Sequence, residues 1–504
     1  MNGDAHLHKK GLFMKKSIAI IGGGVSGLCT GSFAAAAGFQ PIIYEMNKVP
    51  GGLCTGWQKG DYTVDFCISW LTGAADTNDG CDLYHDWKFL GVIDQLTYVF
   101  PQEITRIINT DGRQLAISTD LDTFEQNMLS IAPEDECAIK DLIAAIRKFA
   151  KNNLGLHSPT SFGERIENWW RLLTMASPLY RYGNLSMQEL GLQFKNQFLR
   201  EAFTHSWDPR LSAMSILAII AWAHCGICGY PIGGSQAFAR ALESRFKELG
   251  GIIRYEAPIE KILVEENQAV GVKLADGEEC HADYVISAAD GYSTLFELLG
   301  GEYVTQKIAS YYRDLPIFGP LLFLAFGVDK SFADFPHQLS NTIFKIPKIT
   351  IADREHEWLQ VKIHNTDPTL APDGKTVLSV FLDSNFDFWQ KLSENRDQYE
   401  EMKKRVADIV ANLLNEQFPG IISTLEMKEV ITPVSVHRWT KNWHGSYEGW
   451  LSTPQTIFMH MERTLPGLKN FYMVGHWVQP GGGLPSCVIT AKEVMNMLCE
   501  HAGR

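Results

Sequence analysis

The segment from Ser17 to Glu45 constrains the fold of this chain more than any other stretch. It reads SIAIIGGGVSGLCTGSFAAAAGFQPIIYE, which predicts an apolar strand, a glycine turn, a small-residue helix and a second strand. Three glycines of the turn have the spacing G-x-G-x-x-G, namely Gly22, Gly24 and Gly27. Such glycines let the backbone approach a pyrophosphate, and the first helical turn, with Val25 and Ser26, directs its N–H groups at the phosphates.

An acidic residue closes the same unit. Glu45 follows Gly27 by 18 residues, where a carboxylate is expected to accept hydrogen bonds from the adenosine ribose. No basic residue stands at that point, which argues against a nucleotide with a 2′-phosphate. Gly31 and Gly38 are expected to let the helix lie close on the sheet. The segment therefore predicts a dinucleotide-binding domain.

Composition limits the alternatives. A chain of 504 residues with 45% hydrophobic and 20% charged residues is typical of a soluble globular protein with two or three domains. The net charge of -13 argues against binding to nucleic acid, because a phosphate backbone rewards clustered basic residues. Ten cysteines in a chain of this length indicate reduced thiols and a cytoplasmic location. We interpret Met1 to Phe13 as an unstructured leader and predict no signal peptide.

A Pro-Gly-Gly loop follows the acidic residue and carries a family resemblance. The sequence Pro50-Gly51-Gly52-Leu53 resembles the flavoprotein group of phytoene desaturases, carotenoid isomerases, retinol saturases and, more distantly, amine oxidases. In that group the double glycine runs under the flavin, and many members have Arg where this chain has Leu53. The segment from Gly60 to Phe66 is similar to the hairpin of the group as far as Asp65.

Two later blocks extend the resemblance. The run from Tyr230 to Ala288 begins Tyr-Pro-Ile-Gly-Gly and alternates strand and helix, and the resemblance places Ile259 along the adenosine. The run from Phe471 to Cys487 predicts a strand, a glycine-rich turn and a helix. In the group this turn faces the pyrimidine end of the flavin, which implies cofactor contacts in this chain from Gly475, Gly482, Leu484 and Pro485.

The resemblance implies an α/β fold in which an α+β substrate domain is inserted into a Rossmann-like FAD-binding domain, as in amine oxidases and phytoene desaturases. FAD is expected to be held noncovalently. The FAD-binding domain is expected at 14–80, 226–300 and 466–504, a helical substrate or cap region at 81–225, and the rest of the substrate domain at 301–465. The implied cofactor-binding residues are Gly22, Gly24, Val25, Ser26, Gly27, Glu45, Gly51, Gly52, Leu53, Ile259, Gly475, Gly482, Leu484 and Pro485.

The region 81–225 reads as mostly helical. One predicted helix, Asp135 to Lys151, has an apolar stripe of Cys137, Ile139, Leu142, Ile143, Ile146 and Phe149. The segment Ile166 to Tyr182 suits either a buried helix or a peripheral membrane contact. We predict that Leu211 to Gly229 forms a core or cavity-lining helix, and that the Cys-x-x-Cys of Cys225 and Cys228 is structural.

The resemblance implies an oxidoreductase that transfers hydride between a carbon of a lipophilic small-molecule substrate and N5 of the flavin. A polyene, a sterol and an acyl lipid are the expected substrate classes, and the enzyme is expected to be a desaturase, a saturase or an isomerase. No catalytic side chain is indicated beyond the weak candidate His444, and no metal site is expected. A flavin amine oxidase and a non-catalytic lipid-binding or escort protein stay open as alternatives.

Overall fold

The computed structural model of the chain describes residues 16–77, 81–152 and 175–502. Its strands are β1 Ser17–Ile21, β2 Gln40–Tyr44, β3 Gly56–Lys59, β4 Tyr62–Asp65, β5 Leu71–Thr72, β6 Tyr98–Val99, β7 Glu103–Ile108, β8 Gln114–Ser118, β9 Cys228–Pro231, β10 Ile252–Arg254, β11 Ile259–Glu265, β12 Gln268–Leu274, β13 Glu279–His281, β14 Tyr284–Ser287, β15 Leu321–Val328, β16 Thr342–Ile351, β17 Arg354–Ile363, β18 Thr376–Asp383, β19 Leu425–Ile431 and β20 Phe471–Met473.

The described α-helices are α1 Val25–Ala36, α2 Asp82–Phe89, α3 Val92–Gln95, α4 Leu121–Ile131, α5 Glu136–Lys151, α6 Met187–Gly191, α7 Gln197–His205, α8 Ala213–His224, α9 Gly234–Glu248, α10 Gln306–Asp314, α11 Phe386–Ser393, α12 Arg396–Gln417, α13 Pro433–Thr440 and α14 Gly483–His501. In this described part, no helix combines the length and the apolar character needed to cross a membrane.

The first sheet is parallel and has the order β10-β2-β1-β14-β20. Its central strand β1 is apolar because both of its faces are covered. Ile18 and Ile20 pack in the core formed with α1, α9 and α14, whereas Ala19 and Ile21 pack against the small antiparallel sheet β11-β12-β13. The predicted strand, turn, helix and strand are confirmed, and so is the Rossmann-like α/β fold.

One packing expectation within this domain is wrong. We expected Gly31 to bring α1 close to the sheet, but a Cβ added there would lie 2.6 Å from Cε2 of Phe246 on α9. Gly31 therefore allows two helices to pack closely on the same face of the sheet, since α1 lies between α9 and α14. Gly38 has a φ of +84° and follows the end of α1.

The second sheet has seven strands in the order β19-β15-β18-β17-β16-β7-β8. One face packs on α12, where Leu359 and Val361 share a core with Val410. Alternate residues of the same strand point the other way, so Trp358 and Gln360 line a cavity between this sheet and the FAD-binding domain. Because successive side chains of a strand point to opposite faces of the sheet, β17 contributes both to the core and to the cavity wall.

The region 81–225 is less helical than expected. β7 and β8 form a hairpin inside it, and β7 pairs in parallel with β16, so that Arg106 lies opposite Thr342. Both strands are short, and the partner of β7 lies more than two hundred residues away, a pairing that no local pattern reports. The bounds of the five predicted domain segments stay a prediction.

The apolar stripe of α5 also needs one correction. Ile139, Leu142, Ile143, Ile146 and Phe149 are buried as expected, but Cys137 is exposed. At about 100° per residue, Cys137 falls on the side of the helix opposite the centre of that stripe. Much of the segment 166–182 lies outside the described residues, as does the leader 1–13.

Candidate active site

A cavity of about 1340 Å³ lies between the parallel sheet and the seven-stranded sheet. Ordinary ligand pockets enclose about 300–1,000 Å³, so this space exceeds what a single small ligand needs. Glycine turns of the Rossmann-like domain line one part of it, and aromatic side chains line another.

The first glycine turn leaves room for a ligand at Gly24. A Cβ added there would meet no atom closer than 3.8 Å, and Gly24 lines the cavity together with Gly22, Val25 and Ser26. The helix α1 begins directly after Gly24 without a capping side chain, so its first N–H groups are open to an anion. This arrangement fits a pyrophosphate.

We expect Gly27 among the cofactor-binding residues, but the structure places it away from the cavity. A Cβ there would lie 2.0 Å from the carbonyl oxygen of Gly22, and Gly27 is not part of the cavity wall. It keeps α1 in contact with the turn, which is a packing role within the same motif.

Glu45 is buried at the end of β2 and lines the cavity. Its Oε2 accepts a hydrogen bond of 2.6 Å from the N–H of Gly23, and its Oε1 accepts bonds of 2.8 Å from the backbone and side chain of Asn47. These bonds fix the carboxylate beside the glycine turn, where the ribose of a dinucleotide is expected.

The double glycine lies against this turn. The N–H of Gly51 donates to the oxygen of Gly23 at 2.9 Å, and both Gly51 and Gly52 have positive φ angles. Gly52, Leu53 and, at the start of β11, Ile259 line the same cavity. The structure therefore brings together residues that are distant in sequence.

The last glycine block closes the cavity wall. Gly475 fits against Ser26, because a Cβ there would lie 2.7 Å from the hydroxyl oxygen of Ser26. Gly482, Leu484 and Pro485 also line the cavity, at the start of α14, which again lacks a capping side chain. Two uncapped helix N-termini, an acid and close glycine backbones together fit FAD.

Two predicted features of the thiols can be compared with the structure. Burial raises the pKa of Cys487, which lines the cavity, to about 11, so this thiol is protonated at neutral pH. Cys225 and Cys228 are both free, and burial raises the pKa of each. High thiol pKa values suit structural cysteines rather than a reactive dithiol.

The other part of the cavity is apolar and aromatic. The helix α8 contributes Met214, Ile219 and Trp222, which agrees with the predicted cavity-lining role of 211–229. Aromatic side chains come from several other segments, namely Trp70, Trp207, Phe318, Phe323, Trp358 and Phe381. One charged pair of the cavity lies near solvent, that of Lys348 and Glu355 at 2.8 Å, whose side chains are more than half exposed.

His444, the candidate acid or base, is not brought to this site. It does not line the cavity, and its ring packs on Phe386 and Trp443. Partial burial lowers its pKa. Within the described residues, no group of three or more His, Cys, Asp or Glu side chains could hold a metal ion.

Two cavity residues were missed by the sequence reasoning. Glu448 and His476 both line the cavity, and each stands directly beside a glycine, in Gly-Ser-Tyr-Glu-Gly-Trp and in Val-Gly-His-Trp. Burial lowers the pKa of His476 to about 4, and its buried Nε2 has no hydrogen-bond partner among the described residues. The signal in the sequence that could have found these two residues is an ionisable side chain directly next to a glycine.

Comparisons with known proteins agree with this geometry. A profile of the family described as flavin containing amine oxidoreductase matches residues 25–494. The chain is 26% identical to prolycopene isomerase 2, a chloroplastic protein of an Oncidium hybrid cultivar, over 96% of this chain and 82% of that protein. It is 25% identical to the lycopene-forming phytoene desaturase of Pseudescherichia vulneris, over 97% and 99% of the two chains.

A solved structure supports the fold. The crystal structure of an oxidoreductase from Methanosarcina mazei matches with a TM-score of 0.61 at 17% identity, over 95% of this chain and all of that one. The family model matches most of the length of the chain, and the glycine turns of the cavity fit a dinucleotide. The chain therefore belongs to the flavin containing amine oxidoreductase family and is an FAD-dependent enzyme of its phytoene desaturase and carotenoid isomerase-like branch.

Proposed function

We propose that this enzyme acts on an elongated lipophilic substrate, most readily a polyene, as a desaturase, a saturase or an isomerase. Sterols and acyl lipids are the next substrate classes. FAD, when bound, would supply the two-electron chemistry, a hydride exchange between its N5 and a substrate carbon.

The observation that carries this proposal is a single cavity shared by the dinucleotide groove and the aromatic wall. Gly24 and Glu45 line it together with Trp222, Trp358 and Phe381. Contact with such a wall stabilises a bound chain of conjugated carbons, because burial of apolar surface contributes about 25 cal/mol per Å². The names of the relatives, a prolycopene isomerase and a phytoene desaturase, point to the same substrate class.

The residues of the chain bind, orient and exclude water. The uncapped N-termini of α1 and α14 would hold the negatively charged part of the cofactor, and Glu45, fixed by the N–H of Gly23, would hold its ribose. The aromatic wall keeps the substrate straight and keeps water away from the reacting carbon. Orientation in a dry site is the main demand of hydride exchange, so few dedicated side chains are required.

The test is a substrate survey of the FAD-loaded enzyme without oxygen. Prolycopene, phytoene, a sterol and an unsaturated phospholipid are offered in vesicles, and products are separated by chromatography. We expect a change in double-bond number or geometry in a polyene, and none with a Gly24→Val variant. Hydrogen peroxide formation from amines, with all polyenes unchanged, would favour an amine oxidase. An intact fold without bound flavin would favour the lipid-binding alternative.

A further inference from the structure

Glu448 stands where the two halves of the cavity meet. A Cβ added to Gly482 would lie 2.3 Å from Cγ of Glu448, and one added to Gly483 would lie 3.1 Å from its Oε1. The carboxyl therefore rests on the glycine turn that opens α14. Its neighbour Tyr447 packs on Phe318 of the aromatic wall, with ring centroids 5.4 Å apart.

Within the described residues, no hydrogen bond or ion pair explains why a carboxyl is placed at Glu448. Asp290, another acid of the cavity wall, accepts hydrogen bonds from the N–H groups of Ser293 at 2.7 Å and Trp443 at 2.8 Å. Glu45 is likewise held by backbone N–H groups. Among the described residues the Glu448 carboxyl has neither a hydrogen-bond partner nor an ion-pair partner, and it faces the cavity, whose wall Glu448 lines.

The groups around Glu448 favour its neutral form. The facing titratable groups are Cys487, Tyr447 and, across Gly449, His476. Burial raises the pKa values of the thiol and the phenol and lowers that of the imidazole, so all three are uncharged at neutral pH. Within the described residues no cation forms an ion pair with Glu448, and burial raises the pKa of Glu448 to about 8. Both of its protonation states are therefore accessible near neutral pH.

We propose that Glu448 is the proton donor and acceptor of the substrate reaction, an inference that rests on the proposed function. In a desaturation, one C–H bond yields a hydride whose electron pair passes to the flavin. The adjacent C–H bond loses its proton to the Glu448 carboxylate, and the electron pair of that bond becomes the new π bond. Saturation is the reverse.

A redox-neutral isomerisation uses the same group. The carboxylic acid adds its proton to one alkene carbon, the remaining bond rotates, and the carboxylate removes a proton from that same carbon. No electrons are gained or lost, so the balance closes without an outside oxidant. The site needs one acid that is neutral before the step and charged after it, which describes Glu448.

The first experiment measures the carboxyl itself. The flavin absorbance of the holoenzyme is titrated from pH 6 to 10. We expect one transition near pH 8 in the wild type that disappears in Glu448→Gln, which keeps the shape of the neutral acid. Glu416→Gln, the same change at an exposed position of α12, should keep the transition. A wild type without a transition, or an unchanged Glu448→Gln, would overturn the proposal.

The second experiment measures the proton in turnover, with prolycopene or phytoene as the probe. We expect Glu448→Gln to lose about 100-fold or more in rate at full FAD content, as for removal of a general acid or base. In D₂O, isomerisation of prolycopene by the wild type and by Glu416→Gln should place deuterium in the product, whereas Glu448→Gln should place none. Desaturation of phytoene only removes hydrogen, so for that probe the rate alone is compared. Turnover by Glu448→Gln within about threefold of the wild type refutes the role of Glu448 alone. A wild type that converts no polyene refutes the proposed function and this role with it.

Discussion

At the scale of single residues, the glycines of the first glycine turn have different roles. Gly24 leaves space that opens into the cavity, whereas Gly27 leaves only enough space for the carbonyl oxygen of Gly22. The two positions look equivalent in the sequence pattern G-x-G-x-x-G. Substitutions should therefore separate cofactor binding from stability.

We predict that Gly24→Val abolishes FAD binding but preserves the fold, because the added methyl groups fill the space of the pyrophosphate. Gly27→Ala should instead lower the free energy of unfolding by about 1–3 kcal/mol, since its Cβ meets backbone atoms. Flavin content and thermal unfolding measure the two effects. Ala36→Val, which adds two methyl groups at an exposed site of α1, is the control and should change neither by much. Normal flavin content in Gly24→Val would contradict the placement of the cofactor.

A second prediction concerns Cys487. Its thiol is buried and its pKa is raised to about 11, so little thiolate is present to attack a flavin at neutral pH. We expect acid precipitation to release all FAD into the supernatant, and Cys487→Ser to keep a normal flavin content. Flavin that stays with the precipitated wild type and is released from Cys487→Ser would show a covalent link.

At the scale of elements, the segment between β20 and α14 depends on one buried arginine. Arg463 donates hydrogen bonds to the carbonyl oxygens of Met461 and Val478 and to the side chain of Gln479, and it pairs with Glu493 at 2.7 Å. Since Gly475 and Gly482 stand in this segment and line the cavity, the arginine holds this part of the cavity wall in place.

We predict that Arg463→Met lowers the free energy of unfolding by about 2–4 kcal/mol, because buried carbonyl oxygens lose their donors. FAD should also dissociate faster, as measured by the recovery of free flavin fluorescence after dilution. Arg313→Met is the matched control, because Arg313 pairs with Asp314 at an exposed site where an ion pair is worth about 1 kcal/mol or less. If both variants lower the free energy of unfolding and speed FAD dissociation equally, the proposed role of Arg463 in holding this segment is wrong.

At the scale of the whole molecule, the second Gly-Gly turn is closed to phosphates. Gly233 and Gly234 precede α9, but the N–H of Gly233 donates to Asp367 and that of Ser235 donates to Asp65. These carboxylates take the donors that a dinucleotide would need and repel its phosphates. Only the first turn, near Glu45, is left with a complete set of features for a dinucleotide in the described residues.

We predict from this that NADH and NADPH are poor direct reductants. In anaerobic stopped-flow the bound flavin should bleach slowly and without saturation at physiological concentrations of either nucleotide. Dithionite, which needs no nucleotide site, serves as the control and should bleach the flavin fully. Fast, saturable bleaching by NADPH would show that a second nucleotide site exists.

The sequence alone determined the dinucleotide-binding domain, because its evidence is local. Strand, glycine turn, helix and acid follow one another between Ser17 and Glu45, and each depends on backbone geometry and residue type at short range. The family resemblance then supplied FAD and the two other glycine blocks. By contrast, three features could not be predicted from the sequence, because each depends on where a distant segment packs. They are the β7–β8 hairpin, the exposure of Cys137 and the packing neighbour of Gly31.

Only the tertiary structure decided which ionisable group belongs to the site. His444 and Glu448 are four residues apart, and nothing in their local sequence separates a surface histidine from a cavity acid. The fold turns His444 toward Phe386 and sets Glu448 on Gly482 of a segment more than thirty residues later. Burial and charge at a side chain are properties of everything packed around it, so a linear pattern reports the glycine turns of the cavity but not the carboxyl that packs on one of them.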